Sequence, residues 1–193
     1  MAISSLERRL IRGMMVSGGF GVFHDDRNAG MLHRSLLWCR GSDTTSLPRL
    51  EDPYYYAGGG QIPSWSWMAY HGGIDYLEPE FGGIDWAELS SPWASTPFSK
   101  PNEITLWGMA YKYDSGVAVE GEGTVIFDRP KDSERLSTLC FVVGKAKTLD
   151  SIEERKHYVL LVTAVGETMY ERVGVGVLPG TCISLNSFGV TIC

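Results

Sequence analysis

Val173, Val175 and Val177 alternate with Gly174 and Gly176. Side chains of an extended strand point to opposite faces in turn, so a period of two marks a β-strand. The same character runs through the second half of the chain. Residues 104–113, 123–127, 137–146, 158–165 and 169–178 all read as strands. Successive strands at this spacing predict a mainly β fold. Its antiparallel sheet should curl into a barrel-like or sandwich form. At 193 residues the chain suits a single domain. We expect a β core over residues 61–193, preceded by a helical or irregular part over residues 5–40.

One or two short helices are expected near the N-terminus. Ser4 and Glu7 have the spacing of a capping box. Leu6, Leu10 and Met14 then fall on one helix face. Leu32 and Leu36 share a second, shorter helical stripe. Between residues 61 and 101, Trp, Gly and Pro are frequent, which predicts short strands and tight turns. Gly72-Gly73-Ile74-Asp75-Tyr76 returns ten residues later as Gly82-Gly83-Ile84-Asp85-Trp86. Two similar turns or hairpin edges account for the echo. Residues 41–60 are rich in turn formers and predict a loop.

Several function classes fall away at this level. The net charge is −6 and no run of Lys or Arg exists, so binding to a nucleic-acid backbone is not expected. The four cysteines are far apart and lack a C-x-x-C pair, which argues against zinc and for reduced thiols. No apolar stretch is long enough for a membrane helix, and no signal peptide is visible. A cytoplasmic protein is expected. Gly174 and Gly176 lack the third glycine of a dinucleotide fingerprint and instead permit close strand packing. Ser64 and Ser66 lack the glycines of a nucleophile elbow. No cofactor motif is present.

Trp65 and Trp67, two residues apart, would share one face if they lie on a strand. They are then either core or the wall of an apolar pocket. Tyr70, Tyr76 and Trp86 crowd the same stretch and complete a candidate ligand-binding set. His71 beside Asp75 is the candidate acid/base pair, set against a plain exposed turn histidine. Asp75 and Asp85 occupy equivalent places in the echo and read as a carboxylate pair or as caps of glycine turns. His24-Asp25-Asp26 is a weak metal motif, because adjacent residues seldom converge on one ion.

Three strings carry a resemblance to a known family: Leu-His-Arg-Ser-Leu-Leu-Trp (residues 32–38), Ile-Pro-Ser-Trp-Ser-Trp (62–67) and Tyr-Glu-Arg-Val-Gly-Val-Gly (170–176). In content and order they resemble the C-terminal region of fungal heterokaryon-incompatibility (HET) proteins. In that family the region follows an α/β domain to which cell-death activity is attributed, and nothing in this sequence matches that domain. Two functions are expected from these features. The first is a stand-alone module that binds an apolar small molecule in an aromatic pocket. Such a module would suit a cofactor-independent cyclisation or isomerisation of secondary metabolism, pericyclic or Diels–Alder in type. The alternative is a non-enzymatic recognition or regulatory module of heterokaryon incompatibility, with a protein partner.

Overall fold

The computed structural model describes residues 2–25, 30–50, 61–93, 104–114, 123–134, 138–147, 151 and 154–193. Helix α1 (Ala2–Met14) opens the chain, followed by strands β1 (Ser17–Gly19) and β2 (Val22–His24). Next come helix α2 (Met31–Leu36), β3 (Trp38–Arg40), β4 (Ile74–Tyr76) and β5 (Ile84–Trp86). Longer strands follow: β6 (Leu106–Tyr113), β7 (Thr124–Phe127), β8 (Leu139–Ala146), β9 (Lys156–Ala164), β10 (Met169–Pro179) and β11 (Ile183–Ile192).

The fold is mainly β, as the period of two predicts. One seven-stranded sheet dominates, in the order β11-β6-β8-β9-β10-β7, with β5 paired to the end of β8. Its neighbours run antiparallel except for a short parallel pairing of β10 with β11, Met169 beside Thr191 and Tyr170 beside Ile192. That contact brings the sheet round toward itself. The result is a curled mixed sheet rather than a clean barrel. Strands β8 and β9 are buried on both faces, which explains their nearly unbroken apolar runs. Phe141, Val143, Leu160 and Val162 join the larger core. Cys140, Val142, Val159 and Leu161 join a smaller one on the other face. The Val-Gly alternation in β10 has a clear cause. A Cβ on Gly174 would lie 2.6 Å from the Ile126 carbonyl oxygen, and one on Gly176 would lie 2.9 Å from that of Thr124. Only glycine lets β7 come this close.

The N-terminal part holds more strand than expected. β1 and β2 form a hairpin whose two turn residues, Phe20 and Gly21, both have positive φ, 57° and 76°. That is the backbone of a two-residue hairpin turn matched to strand twist. Phe20 tolerates it because its ring is buried edge-on against Trp65, with centroids 6.1 Å apart. The helix starts earlier than the predicted cap at Ser4. α1 begins at Ala2, so Ser4 lies inside the helix, and the Glu7 carboxylate accepts from the Gly21 N–H at 2.8 Å. α2 forms as predicted, with Leu32 and Leu36 buried. Each copy of the Gly-Gly-Ile-Asp echo gives a glycine turn and a three-residue strand. Their partners differ: β4 pairs with β3, and β5 with β8. In the predicted loop 41–60, residues 51–60 lie outside the described residues.

Candidate functional site

Pro63-Ser64-Trp65-Ser66-Trp67 does not form a strand. Residues 64–66 turn, and Trp67–Ala69 is a single 3-10 turn. The reason lies in Ser66. Its hydroxyl accepts from Met68 N–H at 3.1 Å and donates to the Phe20 carbonyl at 2.6 Å. A serine that bonds the backbone locally competes with a strand ladder. Trp65 and Trp67 therefore do not share a strand face. Trp65 is 0% exposed and packs edge-on against both Phe20 and Trp93. Trp67 is half-buried and donates to the Gly21 carbonyl at 3.3 Å.

The three strings that carry the family resemblance meet at one buried arginine. Arg172 is 1% exposed. A register shift between Arg172 and Gly174 in β10 re-aims the strand there. The Arg172 guanidinium donates to the Leu36 carbonyl at 3.0 Å and the Trp38 carbonyl at 2.5 Å. It holds the Asp128 carboxylate with two bonds of 3.2 Å and lies 3.2 Å from the Trp38 ring centroid. Its own backbone N–H donates to the Ser64 hydroxyl at 3.0 Å, and that hydroxyl in turn donates to the Cys193 carbonyl. Trp38 completes the link by donating from Nε1 to the Trp65 carbonyl at 2.9 Å. Tyr70 packs on Trp38 and donates to the Ser64 carbonyl at 3.1 Å. Burial drives the Tyr70 phenol well above its ordinary pKa, so it stays a neutral donor. Burial likewise raises the Asp128 carboxyl, and Arg172 offsets part of that rise. Every group here is a partner in the fold. A planar guanidinium with five fixed donors suits such a junction.

The candidate acid/base pair is not assembled. His71 is exposed, and Asp75 accepts from Ser42 N–H at 3.2 Å, a loop cap. No hydrogen bond joins the two side chains among the described residues. Asp85 is also remote from Asp75, on the other sheet, where it takes Arg155 at 2.5 Å and Lys147 at 3.9 Å. Of the predicted ligand-binding set, Trp65 and Tyr70 belong to the core around Arg172. Trp86 lies against His33, with ring centroids 5.1 Å apart, and beneath the Arg34 guanidinium at 5.3 Å. In the His24-Asp25-Asp26 motif, Asp26 lies outside the described residues.

Tyr76 lines an open cleft among the described residues. This cleft of about 490 Å³ is lined by Gly21, Phe23, Arg34, Ser35, Tyr76 and Pro79, together with Leu77 and Glu78. Its walls come from the β1–β2 hairpin, α2 and the segment after β4. Arg34 is held rigid there, donating to the Pro79 and Glu80 carbonyls at 3.0 and 3.3 Å. Beside it stands Phe81, 98% exposed, its ring centroid 5.9 Å from the Arg34 guanidinium. Sequence reasoning missed Arg34, Phe23 and Phe81.

His33, next to Arg34, gives a pH prediction. Its Nε2 bonds the Ala87 carbonyl at 2.8 Å, so Nε2 carries the proton, while Nδ1 is buried with no partner. Burial lowers its pKa below the usual 6.5, and burial does the same for His157. The unfolded imidazoles protonate more readily than the folded ones. Stability should therefore be complete above about pH 6.5 and fall as pH drops through the folded values. Denaturant titrations at stepped pH check this. The acid loss should shrink in His33→Asn, and a midpoint that rises on acidification would contradict the assignment.

No family model, curated protein or solved structure matches this chain.

Proposed function

We propose that this chain is a recognition module of the heterokaryon-incompatibility type, binding a protein partner through the cleft around Arg34, Tyr76 and Phe81. The observation that carries the reading is Phe81, fully exposed beside a rigid arginine at the edge of an open cleft. Aromatic residues and arginine are the side chains that concentrate binding energy at protein interfaces. One exposed phenylalanine is ordinary on a protein surface; what supports the reading is its place against Arg34 at the rim of the cleft. Most of the aromatic residues expected to wall a pocket are instead committed to the Arg172 junction or stacked on their neighbours. That commitment supports a binding role over a reaction in an enclosed apolar chamber.

The test uses the purified chain titrated with a separately produced HET-type α/β domain, followed by calorimetry. A complex is expected. Phe81→Ala and Tyr76→Ala should each weaken it by about 1–2 kcal/mol, five- to thirtyfold. Neither should move the denaturation midpoint by much, since both side chains are exposed. No heat of binding, or full affinity in both variants, would refute the cleft as a binding face.

A second reading keeps the small-molecule function. Tyr76 and Phe23 line a cleft within the size range of ligand sites. An apolar ligand held there would react without a cofactor, by alignment alone. Incubation with polyene or terpenoid aldehydes decides it. A cyclised or isomerised product that disappears in Tyr76→Ala would favour this reading over protein recognition.

A further inference from the structure

Helix α1 carries an exposed apolar stripe that no described element covers. Leu6 is 58% exposed, Leu10 and Met14 are also exposed, and Met15 just beyond the helix is 89% exposed. Leu6, Leu10 and Met14 recur at every fourth residue, so they form one continuous row. The same helix carries Arg8, Arg9 and Arg12, all exposed, on the side away from that row. The only carboxylate between residues 2 and 16 is Glu7, and it is buried and turned inward to the Gly21 N–H. Over residues 6–14 the outward surface of α1 is therefore apolar on one side, and the exposed charges on the other are all cationic.

The arginines of α1 differ from all the others described. Arg34 and Arg40 are engaged with backbone carbonyls. Arg49 pairs with Glu171, Arg129 with Asp132, Arg155 with Asp85 and Arg172 with Asp128. Arg8, Arg9 and Arg12 have no such partner among the described residues. In a chain of net charge −6, three uncommitted cations are gathered on one short helix beside an exposed apolar row.

We propose that α1 docks the protein on an anionic membrane surface. The helix would lie in the plane of the interface, with Leu6, Leu10 and Met14 in the acyl boundary and the arginines among acidic headgroups. An amphipathic helix with a basic polar face and no exposed carboxylate has the chemistry such a surface selects. A second copy of the chain is a poorer occupant. A two-fold contact through this row would bring two cationic helices together with no exposed acid on either to offset them. The helix is too short to cross the membrane, and no helix among the described residues is long and apolar enough to do so.

Co-sedimentation with vesicles tests the proposal. The intact chain should bind vesicles of phosphatidylcholine mixed with phosphatidylserine, should not bind phosphatidylcholine alone, and should dissociate as salt is raised. The triple substitution Arg8→Gln, Arg9→Gln, Arg12→Gln should weaken binding on the order of 100-fold, about fivefold for each cation lost. The triple substitution Leu6→Gln, Leu10→Gln, Met14→Gln should abolish it. Both variants should keep the circular dichroism and melting temperature of the parent, because the replaced side chains are exposed and Gln is a good helix former. Failure to bind either vesicle, or equal binding to both, would overturn the proposal. So would self-association, or binding to an α/β partner domain, that the apolar substitutions relieve, since the row would then serve a protein contact.

Discussion

Replacing Arg172 by Met should cost the fold about 3–5 kcal/mol, the usual loss when one partner of a buried ion pair is removed. Its melting temperature should fall by roughly 6–20 °C. The cost does not lie in the ion pair alone. Asp128 would remain buried without its counter-ion, and the carbonyls of Leu36 and Trp38 would lose a charged donor. Two consequences separate this account from a general packing defect. First, Arg172→Met combined with Asp128→Leu should recover much of the loss, because the stranded charge is gone. Second, the deficit of the single variant should shrink as pH falls. Without Arg172 the folded carboxyl of Asp128 is pushed still further above its unfolded value, so uptake of a proton relieves the folded state. Guanidinium denaturation of the parent, the single and the double variant across pH measures all of this. A single-variant loss under about 1 kcal/mol would mean that the junction is not what ties the segments together.

Trp65→Ala should cost about 3–5 kcal/mol, the range for deleting a fully buried aromatic side chain. Trp65 is enclosed by Phe20, Trp93 and the larger core, so the space left behind cannot readily collapse. Its indole Nε1 has no hydrogen-bond partner. Trp65→Phe removes that unsatisfied donor along with part of the ring and should therefore cost less, on the order of 1–2 kcal/mol. A pocket wall would behave in the opposite way. An exposed indole lining a ligand site would cost little stability when truncated and would lose the ligand instead.

The strands were legible because a half- or fully buried strand writes its burial into a period of two or an unbroken apolar run. β8, β9 and β10 do so in Phe141 to Val143, Val159 to Val162 and Val173 to Val177. β11 does not. It pairs with β6 through a register shift between Ile183 and Ser187, and it leaves Leu185 and Phe188 pointing outward. Residues 185–189 are exposed in succession, on both faces, so local periodicity does not reveal the strand. The Trp65–Trp67 spacing misled for the converse reason. Two residues apart implies one face only on a strand, and the Ser66 hydroxyl had already turned the chain. The Arg172 junction was out of reach of local reasoning. Its parts are separated by 44 to 136 residues, and their meeting depends on how the sheet curls. The cleft residues were hidden for the same reason, since Phe23, Arg34 and Tyr76 come from three separate segments.

On the proposed reading the labour is divided, with the Trp-rich strings holding the fold and the cleft beside Arg34 binding the partner. Folding free energy and partner affinity measured on the same two variants, Trp65→Phe and Phe81→Ala, test it most directly. Trp65→Phe is expected to lower the denaturation midpoint and leave affinity for the α/β partner domain unchanged. Phe81→Ala is expected to do the reverse. An affinity loss in Trp65→Phe with its midpoint intact, together with full affinity in Phe81→Ala, would contradict that division.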